Sequence, residues 1–226
     1  MSVDYRAFLR QTDIINMQSL TELSVLIVGT GAIGSFTALA LSKMGVREFI
    51  LFDGDVIDIH NLSAQFFPNT TLNQNKAIAT AEQLKSYAAN TNLTVFPIPQ
   101  HFTENDKINT DIVIATTDTI ESRKTVFENA TKSRVTKLYI DARMDRERLE
   151  VHTVNMKNRK EKEECYSNFL EGVKTKTGSC TARTIIYNVL LASSLIADSI
   201  KRYVNNQPIP KLTCYSFDSH QIVVGW

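Results

Sequence analysis

The sequence predicts an α/β fold with a doubly wound, mostly parallel sheet, and its first third carries the main observations. An apolar run at residues 25–28 leads into three glycines with the spacing G-x-G-x-x-G, which are Gly29, Gly31 and Gly34. A helical pattern follows at residues 32–44, and a second apolar run at 49–52 ends at Asp53. This order of strand, glycine turn, helix, strand and acid is typical of a Rossmann-like nucleotide site.

Each residue of this unit has a physical role in nucleotide binding. Gly29 allows the tight turn, Gly31 lets the backbone approach phosphate, and Gly34 lets the helix pack closely on the strand. The amides of the first helical turn point at the phosphates. Asp53 lies where a carboxylate accepts hydrogen bonds from ribose hydroxyls. The same pattern also fits a purely structural βαβ unit.

The rest of the core follows the same alternation. The predicted elements are a polar loop at 54–73, a helix at 74–90, strands at 93–98 and 111–116, a helix at 120–130 and a strand at 137–141. Asp118 comes just after the strand at 111–116. Because ligands of open parallel sheets lie outside the carboxyl ends of strands, we expect Asp53 and Asp118 to face the same ligand.

Both ends of the chain differ from this core. Residues 4–20 are predicted to form a polar helical arm. The last third is predicted to contain a strand at 149–154, a flexible crossover loop at 156–178, a long helix at 182–204 and an antiparallel hairpin at 211–224. We therefore expect one domain over 1–226, with an arm at 1–22, a nucleotide-binding core at 23–145, and the loop, helix and hairpin at 146–226.

Composition excludes several classes of function. The net charge of +1 predicts neither nucleic acid nor an anionic membrane as a partner. No apolar stretch approaches the roughly 20 residues that span a bilayer, and the charged N-terminus lacks a signal-peptide core. The chain has an odd number of cysteines, and they are widely spaced: Cys165, Cys180 and Cys214. This pattern favours reduced thiols and a cytoplasmic location.

The charged residues suggest how the site works. One carboxylate at the strand ends could hold ribose and the other Mg²⁺, which usually takes one or two carboxylates plus phosphate oxygens. Lys76 could neutralise phosphate. A dehydrogenase would instead need a hydride pocket and no metal carboxylate. The histidines form no recognisable pattern and are interpreted as surface or packing residues: His60, His101, His152 and His220.

Several strings together resemble one family. They are the N-terminal LRQ, the GTGAIG turn, LFDGDVIDIHNLSAQF, Lys76 within NQNKA, and IATTDTIESR. Over nearly the whole chain the sequence is similar to the ThiF/MoeB/HesA family, adenylating enzymes related to ubiquitin-activating enzymes. The string D-x-D-x-V-x-x-x-N-L-x-x-Q is quite specific to this family, and dehydrogenases do not carry it.

The resemblance implies an activity, cofactors and partners. The activity is adenylation, with ATP and Mg²⁺, of the C-terminal glycine of a small ubiquitin-like or sulfur-carrier protein that ends in Gly-Gly. The implied nucleotide-binding residues are Gly29, Gly31, Gly34, Asp53, Asp55, Asn61, Gln65, Lys76 and Asp118. Asp118 would also bind Mg²⁺ and position the reacting groups. Arg10 would reach the γ-phosphate of the other protomer, so the resemblance also implies a homodimer.

The chain departs from the family pattern at two places. The family string usually reads N-L-x-R-Q, whereas Ala64 occupies the arginine position here. Losing one charge-assisted phosphate contact could cost roughly 10²–10³ in rate. Either another cation, such as Arg123, covers the position, or the enzyme is slow or inactive; the alternative for Arg123 is a helix-surface residue. Many relatives also carry paired C-x-x-C motifs for zinc, which this chain lacks, so we predict no zinc site.

Cys180 is the candidate nucleophile, since in related activators a cysteine at this place takes the carrier as a thioester or acyl-disulfide. It is expected at a helix N-terminus near Arg183, where a thiolate is stabilised. The other interpretation of Cys180 is a structural, half-buried cysteine. Cys165 is the second choice of nucleophile, and Cys214 is interpreted as a core residue of a strand. Two other functions stay open: adenylation of a non-protein carboxylate, as in tRNA-nucleoside-modifying relatives, and a non-catalytic dimer.

Overall fold

The computed structural model describes residues 5–89, 92–165 and 185–226. Its strands form one sheet of eight in the order β3-β2-β1-β4-β5-β6-β7-β8. They are β1 (Ser24–Val28), β2 (Glu48–Phe52), β3 (Thr94–Ile98), β4 (Ile112–Ala115), β5 (Leu138–Asp145), β6 (Arg148–Asn155), β7 (Leu212–Ser216) and β8 (Gln221–Gly225). The first five pair in parallel and the last three add on antiparallel, which confirms the predicted fold class.

Helices cover both faces of the sheet. They are α1 (Met17–Thr21), α2 (Ala32–Met44), α3 (Lys76–Tyr87), α4 (Ile120–Lys132), α5 (Arg159–Cys165) and α6 (Ile186–Val204). One face buries the apolar sides of α2, α3 and α6. The other buries α4, with Cys165 of α5 against it. None of the described helices combines the length and the hydropathy that crossing a bilayer requires.

The order in which the strands are added to the sheet reverses between β1 and β4. From β1 the order runs outward through β2 and β3 on one side and through β4 and β5 on the other. Ligands of open α/β sheets bind at such a switch point, outside the carboxyl ends of the strands. The topology therefore puts the segments after β1, β2 and β4 around one crevice.

The polar pattern predicted a single helix for the N-terminal arm, and the structure does not show one. It forms a 3-10 turn at Tyr5–Phe8, further turns and then α1, whose N-cap Asn16 accepts a hydrogen bond from the amide of Ser19 at 3.1 Å. Phe8 is buried and packs beside Gly45, at the C-terminal end of α2. The arm is therefore anchored by buried apolar side chains rather than by continuous helical hydrogen bonding.

Other boundaries also differ from the predicted ones. Strands β5 and β6 pair from Leu138 opposite Asn155 to Asp145 opposite Arg148, so both are longer than expected. The segment at 159–165 was predicted as part of a solvated loop, but it is the helix α5, with an exposed pair between Arg159 and Glu163. The remainder of that loop, residues 166–178, and the predicted helix start near 182 lie outside the described residues.

Candidate active site

A cavity of about 600 Å³ opens at the switch point. The sequence-predicted residues that line it are Gly29, Gly31, Asp53, Asp55, Asn61, Gln65, Lys76, Asp118 and Arg123. They come from the turns after β1, β2 and β4 and from the start of α3 and α4. Gly34 packs beneath the cavity, Arg10 does not line it, and Cys180 lies outside the described residues.

The glycine turn brings backbone into close contact at two positions. Gly29 has a φ of +91°, and a Cβ there would lie 2.9 Å from the carbonyl of Thr116. A Cβ at Gly34 would lie 1.9 Å from the carbonyl oxygen of Gly29, which also accepts a hydrogen bond from the Thr116 hydroxyl at 2.6 Å. At Gly31 the nearest atom to such a Cβ is Gln65 Nε2 at 3.9 Å, an ordinary contact distance, so the backbone there is not crowded. The result is a cradle of backbone at the start of α2.

Asp53 is fixed by the turns on either side of it. Its Oδ2 accepts hydrogen bonds from the amide of Thr30 at 2.7 Å and from the Thr30 hydroxyl at 3.3 Å, and its Oδ1 accepts one from the amide of Asp55 at 2.9 Å. Burial raises the pKa of Asp53, and these amides and the nearby Lys76 only partly oppose it. The carboxyl group is thus held rigidly at the end of β2.

Asn75 is a structural residue of the site that the sequence argument missed. As the N-cap of α3, its Oδ1 accepts hydrogen bonds from the amides of Ala77 and Ile78. Its Nδ2 donates to the carbonyl oxygens of Asp53 at 2.8 Å and of Asp55 at 3.0 Å. Asparagine before a helical pattern is a recognisable N-cap signal, so the sequence did contain it.

Lys76 follows directly in the first turn of α3. It is 6% exposed, and its Nζ lies 2.8 Å from Oδ2 of Asp55. The backbone amide of Lys76 donates to the carbonyl oxygen of Asp55 at 3.0 Å. Through these contacts the cap, the lysine and the acidic turn form one connected unit at the cavity wall.

The segment that follows the acidic turn after β2 supplies another part of the cavity wall. Asn61 is buried, and its Oδ1 accepts a hydrogen bond from the amide of Asp58 at 3.0 Å. The side-chain oxygen of Gln65 is buried and finds no hydrogen-bond partner within the described part of the chain. Ala64 is 7% exposed and lines the cavity, so an apolar methyl group occupies the place where the family string has arginine.

Asp118 lies in the turn between β4 and α4, exposed at the cavity. Thr119 caps α4 by accepting a hydrogen bond from the amide of Ser122 at 3.1 Å. The hydroxyl of Thr117 is buried without a hydrogen-bond partner among the described residues. An exposed carboxylate beside a backbone cradle fits a Mg²⁺ ion that is shared with phosphate oxygens.

Arg123 is not a helix-surface residue, which corrects one of the two interpretations. It is 4% exposed and forms an ion pair with the fully buried Asp141 of β5. Its Nη1 also donates to the carbonyl oxygens of Ala115 at 3.3 Å and Ala142 at 3.0 Å. Arg143 adds a second contact, with Nε 3.1 Å from Asp141 Oδ1. Arg123 therefore lines the cavity with its charge largely committed to a structural carboxylate.

Two histidines lie closer to the site than their interpretation as surface or packing residues suggested. His60 and His101 both line the cavity. The His101 ring lies against Gly54, where a Cβ would come within 2.7 Å of it, and its Nε2 is 3.9 Å from Oδ1 of Asp55. His60 Nδ1 is 3.6 Å from Oδ1 of Asp58. Sequence spacing gave no signal for either position because they come from separate loops.

Arg10 is exposed in the turn that follows the 3-10 turn of the arm. The neighbouring Gln11 donates through Nε2 to the carbonyl oxygen of Met44, at the C-terminal end of α2. The glycine cradle lies at the other end of this 13-residue helix, about 20 Å away. Arg10 therefore belongs to a part of the surface remote from the cavity of its own chain.

The two described cysteines differ from reactive thiols. Burial, with a further contribution from the charge of Asp141, raises the pKa of Cys165 to about 12. Burial also raises the pKa of Cys214, which is half-buried on β7 rather than fully in the core. Because the thiolate is the nucleophile, these environments argue against a nucleophilic role for either residue.

Comparison with known proteins identifies the family. The model of the ThiF family matches residues 5–223. The chain belongs to the ThiF family. Among curated relatives, ubiquitin-like modifier-activating enzyme 5 of Dictyostelium discoideum is 30% identical over 127 residues, which is 49% of this chain and 33% of the relative. The enzyme of the same name from Xenopus laevis is 26% identical over 136 residues, or 53% of this chain and 34% of the relative.

Solved structures show the same fold. E. coli MccB with succinimide has a TM-score of 0.75 at 19% identity, over 99% of this chain and 71% of that one. E. coli MccB with ATP has a TM-score of 0.74 at 20% identity, over 92% and 64%. PaaA has a TM-score of 0.73 at 16% identity, over 92% and 65%. This ThiF-family chain spans about a third of the length of the curated relatives it matches.

Proposed function

We propose that the chain adenylates the C-terminal glycine of a small ubiquitin-like or sulfur-carrier protein, using ATP and Mg²⁺. The observation that carries the proposal is the cavity at the β1–β4 switch point, where the glycine cradle, Asp53, Lys76 and Asp118 meet. Family membership supports the same reaction. The three segments 1–22, 23–145 and 146–226 would act as one adenylation domain.

In this reaction the carrier carboxylate attacks the α-phosphate of ATP and pyrophosphate leaves. Two anions must meet, so the protein contributes mainly positioning and charge neutralisation. Asp53 accepts hydrogen bonds from ribose, and the amides at the start of α2, which have no partner within the helix, face the phosphates. Gln65 and Asn61 meet the phosphates from one wall and Lys76 from the other.

Asp118 is the residue that would hold Mg²⁺. A bound ion there would neutralise phosphate charge during the displacement. The fit depends on the exposed carboxylate of Asp118 and on the cavity beside it, and the neighbouring buried hydroxyl of Thr117 offers a further polar group. Asp118→Ala should therefore abolish adenylation while the remote core stays folded.

The test is ATP–pyrophosphate exchange in the presence of a small protein that ends in Gly-Gly. The best candidate is such a protein encoded by a neighbouring gene. Exchange that is lost when the two terminal glycines are deleted supports the proposal. Exchange that depends instead on RNA or on a small carboxylate assigns the non-protein alternative. The presence of Ala64 in the cavity favours a second candidate, a non-catalytic dimer, which predicts no exchange with any of these substrates.

Two further parts of the proposal need their own tests. Cys180→Ala should leave exchange intact and remove any thiol-sensitive adduct with the carrier; survival of that adduct would exclude Cys180 as nucleophile. The remote position of Arg10 requires a homodimer if this residue acts at a site. Mixing inactive Arg10→Ala and Asp118→Ala chains should then restore about a quarter of full activity, because half of the dimers would regain one of two sites.

A further inference from the structure

The described residues that line the cavity carry more acid than permanent positive charge. The carboxyl groups belong to Asp53, Asp55 and Asp118, and the permanent cations to Lys76 and Arg123. Three carboxylates against two cations leave a formal charge of −1 when the histidines are neutral. A wall of this charge disfavours a triphosphate unless more positive charge is brought in.

Both cations are also paired with acids. Lys76 Nζ lies 2.8 Å from the carboxylate of Asp55, and Arg123 is held by the buried Asp141. A cation that already has a partner contributes less net charge to a ligand. Among the described cavity residues this leaves the two histidines as further sources of positive charge.

His60 lies on the part of the cavity wall that also carries Asn61, Ala64 and Gln65. The amides of Ala64 and Gln65 both donate to the carbonyl oxygen of Asn61, so the segment forms a helical turn. His60 and Ala64 lie on this same segment, and both line the cavity. The next residue, Gln65, approaches to 3.9 Å from where a Cβ of Gly31 would lie.

His101 lies at a different end of the cavity. It follows β3 and rests on Gly54, beside the aromatic pair of Phe52 and Phe102, whose ring centroids are 5.1 Å apart. Because β3 is the outer strand of this half of the sheet, His101 is on the far side of Asp53 from the glycine turn. An apolar and aromatic surface suits a nucleoside base better than a phosphate.

We propose that the protonated His60 contacts the phosphates of bound ATP and supplies the positive charge that Ala64 cannot. The inference rests on the proposed function, since it assumes that ATP occupies this cavity. The partner that His60 already has, Asp58, is 3.6 Å away, and both side chains are 62% exposed. Such a solvated pair is weak, so a phosphate can replace it. The other charged or titratable groups around the cavity are Asp53, Asp55, Lys76, His101, Asp118 and Arg123.

The experiment measures binding of Mg²⁺-ATP and of adenosine by calorimetry at about pH 6, because acid conditions favour the imidazolium form of a histidine side chain. His60→Ala should weaken ATP binding about tenfold, by loss of a charged hydrogen bond, and leave adenosine binding unchanged. His60→Lys should retain most of the affinity. The double variant His60→Ala/Ala64→Arg should regain it, because the arginine returns positive charge to the same segment of the cavity wall. His220→Asn, in the remote β7–β8 turn, is the matched control and should behave as the unmodified chain.

The outcomes separate this inference from the proposed function. If the unmodified chain binds ATP and His60→Ala binds it equally well, the role of His60 is refuted and the proposed function stands. Equal losses of ATP and adenosine affinity would also refute it, since they indicate a disturbed fold rather than a lost phosphate contact. If the unmodified chain does not bind ATP at all, the proposed function and this inference fall together.

Discussion

Replacing Asn75 by alanine should destabilise the protein and weaken nucleotide binding together. The side chain makes four hydrogen bonds in the structure. Its Oδ1 accepts from the amides of Ala77 at 2.9 Å and Ile78 at 3.2 Å, and its Nδ2 donates to the carbonyl oxygens of Asp53 and Asp55. It therefore connects the start of α3 to the acidic turn after β2.

The magnitude follows from these contacts. Loss of an N-cap costs about 0.5–2 kcal/mol, and each further hydrogen bond contributes about 1 kcal/mol. Asn75→Ala should therefore lower the free energy of unfolding by about 2–4 kcal/mol. For a chain of this size that is a fall in melting temperature of about 5–15 °C. Affinity for Mg²⁺-ATP should fall about tenfold, because Lys76 and Asp53 lose their common support.

Thermal unfolding and calorimetric titration with Mg²⁺-ATP measure both effects. Asn75→Ser is the informative companion, since serine keeps the cap but is too short to reach both carbonyl oxygens. Its stability should lie between those of Asn75→Ala and the unmodified chain. Gln74→Ala changes the exposed neighbour and should have little effect. An Asn75→Ala chain with unchanged melting temperature, or with lower stability and full ATP affinity, would refute the proposed connection.

Three other predictions concern the core. Because its pKa is about 12, Cys165 should react with iodoacetamide at pH 8 about 10³-fold more slowly than an ordinary thiol, as measured by mass spectrometry; a comparable rate would contradict the burial. Asp141→Ala should lower the free energy of unfolding, measured with denaturant, by about 3–5 kcal/mol because it leaves Arg123 buried without its carboxylate. Replacing Asp141 and Arg123 together by apolar residues should lower it less. Burial alone would raise the pKa of Asp111, but Lys137 and donors from β1 lower it on balance. Its stabilisation is thus present near neutral pH and is lost as the pH falls below about 4, so Asp111→Asn should lose less stability on acidification than the unmodified chain.

Local sequence patterns predicted the residues that line the cavity, because the strand order largely determines where those residues lie. Once β1, β2 and β4 are parallel neighbours, the residues after each strand must meet at one edge. Gly29, Asp53 and Asp118 needed no further information to be brought together. The N-cap signal at Asn75 was equally local, although its second role, as donor to two carbonyl oxygens, depends on the turn after β2.

The sequence pattern could not predict ion pairs between residues on different elements of the fold. Arg123 and Asp141 are 18 positions apart on different elements, and nothing in the spacing shows that they pair. The charged stretch around Arg143 falls between the predicted strands at 137–141 and 149–154. In the structure it belongs to β5, where Asp141 forms ion pairs with both Arg123 and Arg143. Predictions from periodicity fail here because the burial of these charges depends on partners distant in sequence.

The position of the cavity at the change of strand order has a thermodynamic consequence. Its walls come from segments that stretch from Val28 to Met144, so no short fragment of the chain contains a complete site. Any ligand that binds there binds only the assembled sheet, and its free energy adds to that of folding in proportion to the logarithm of ligand concentration. Occupancy by nucleotide would then protect the whole central sheet from unfolding and proteolysis, and the protein would be least durable when its ligand is scarce.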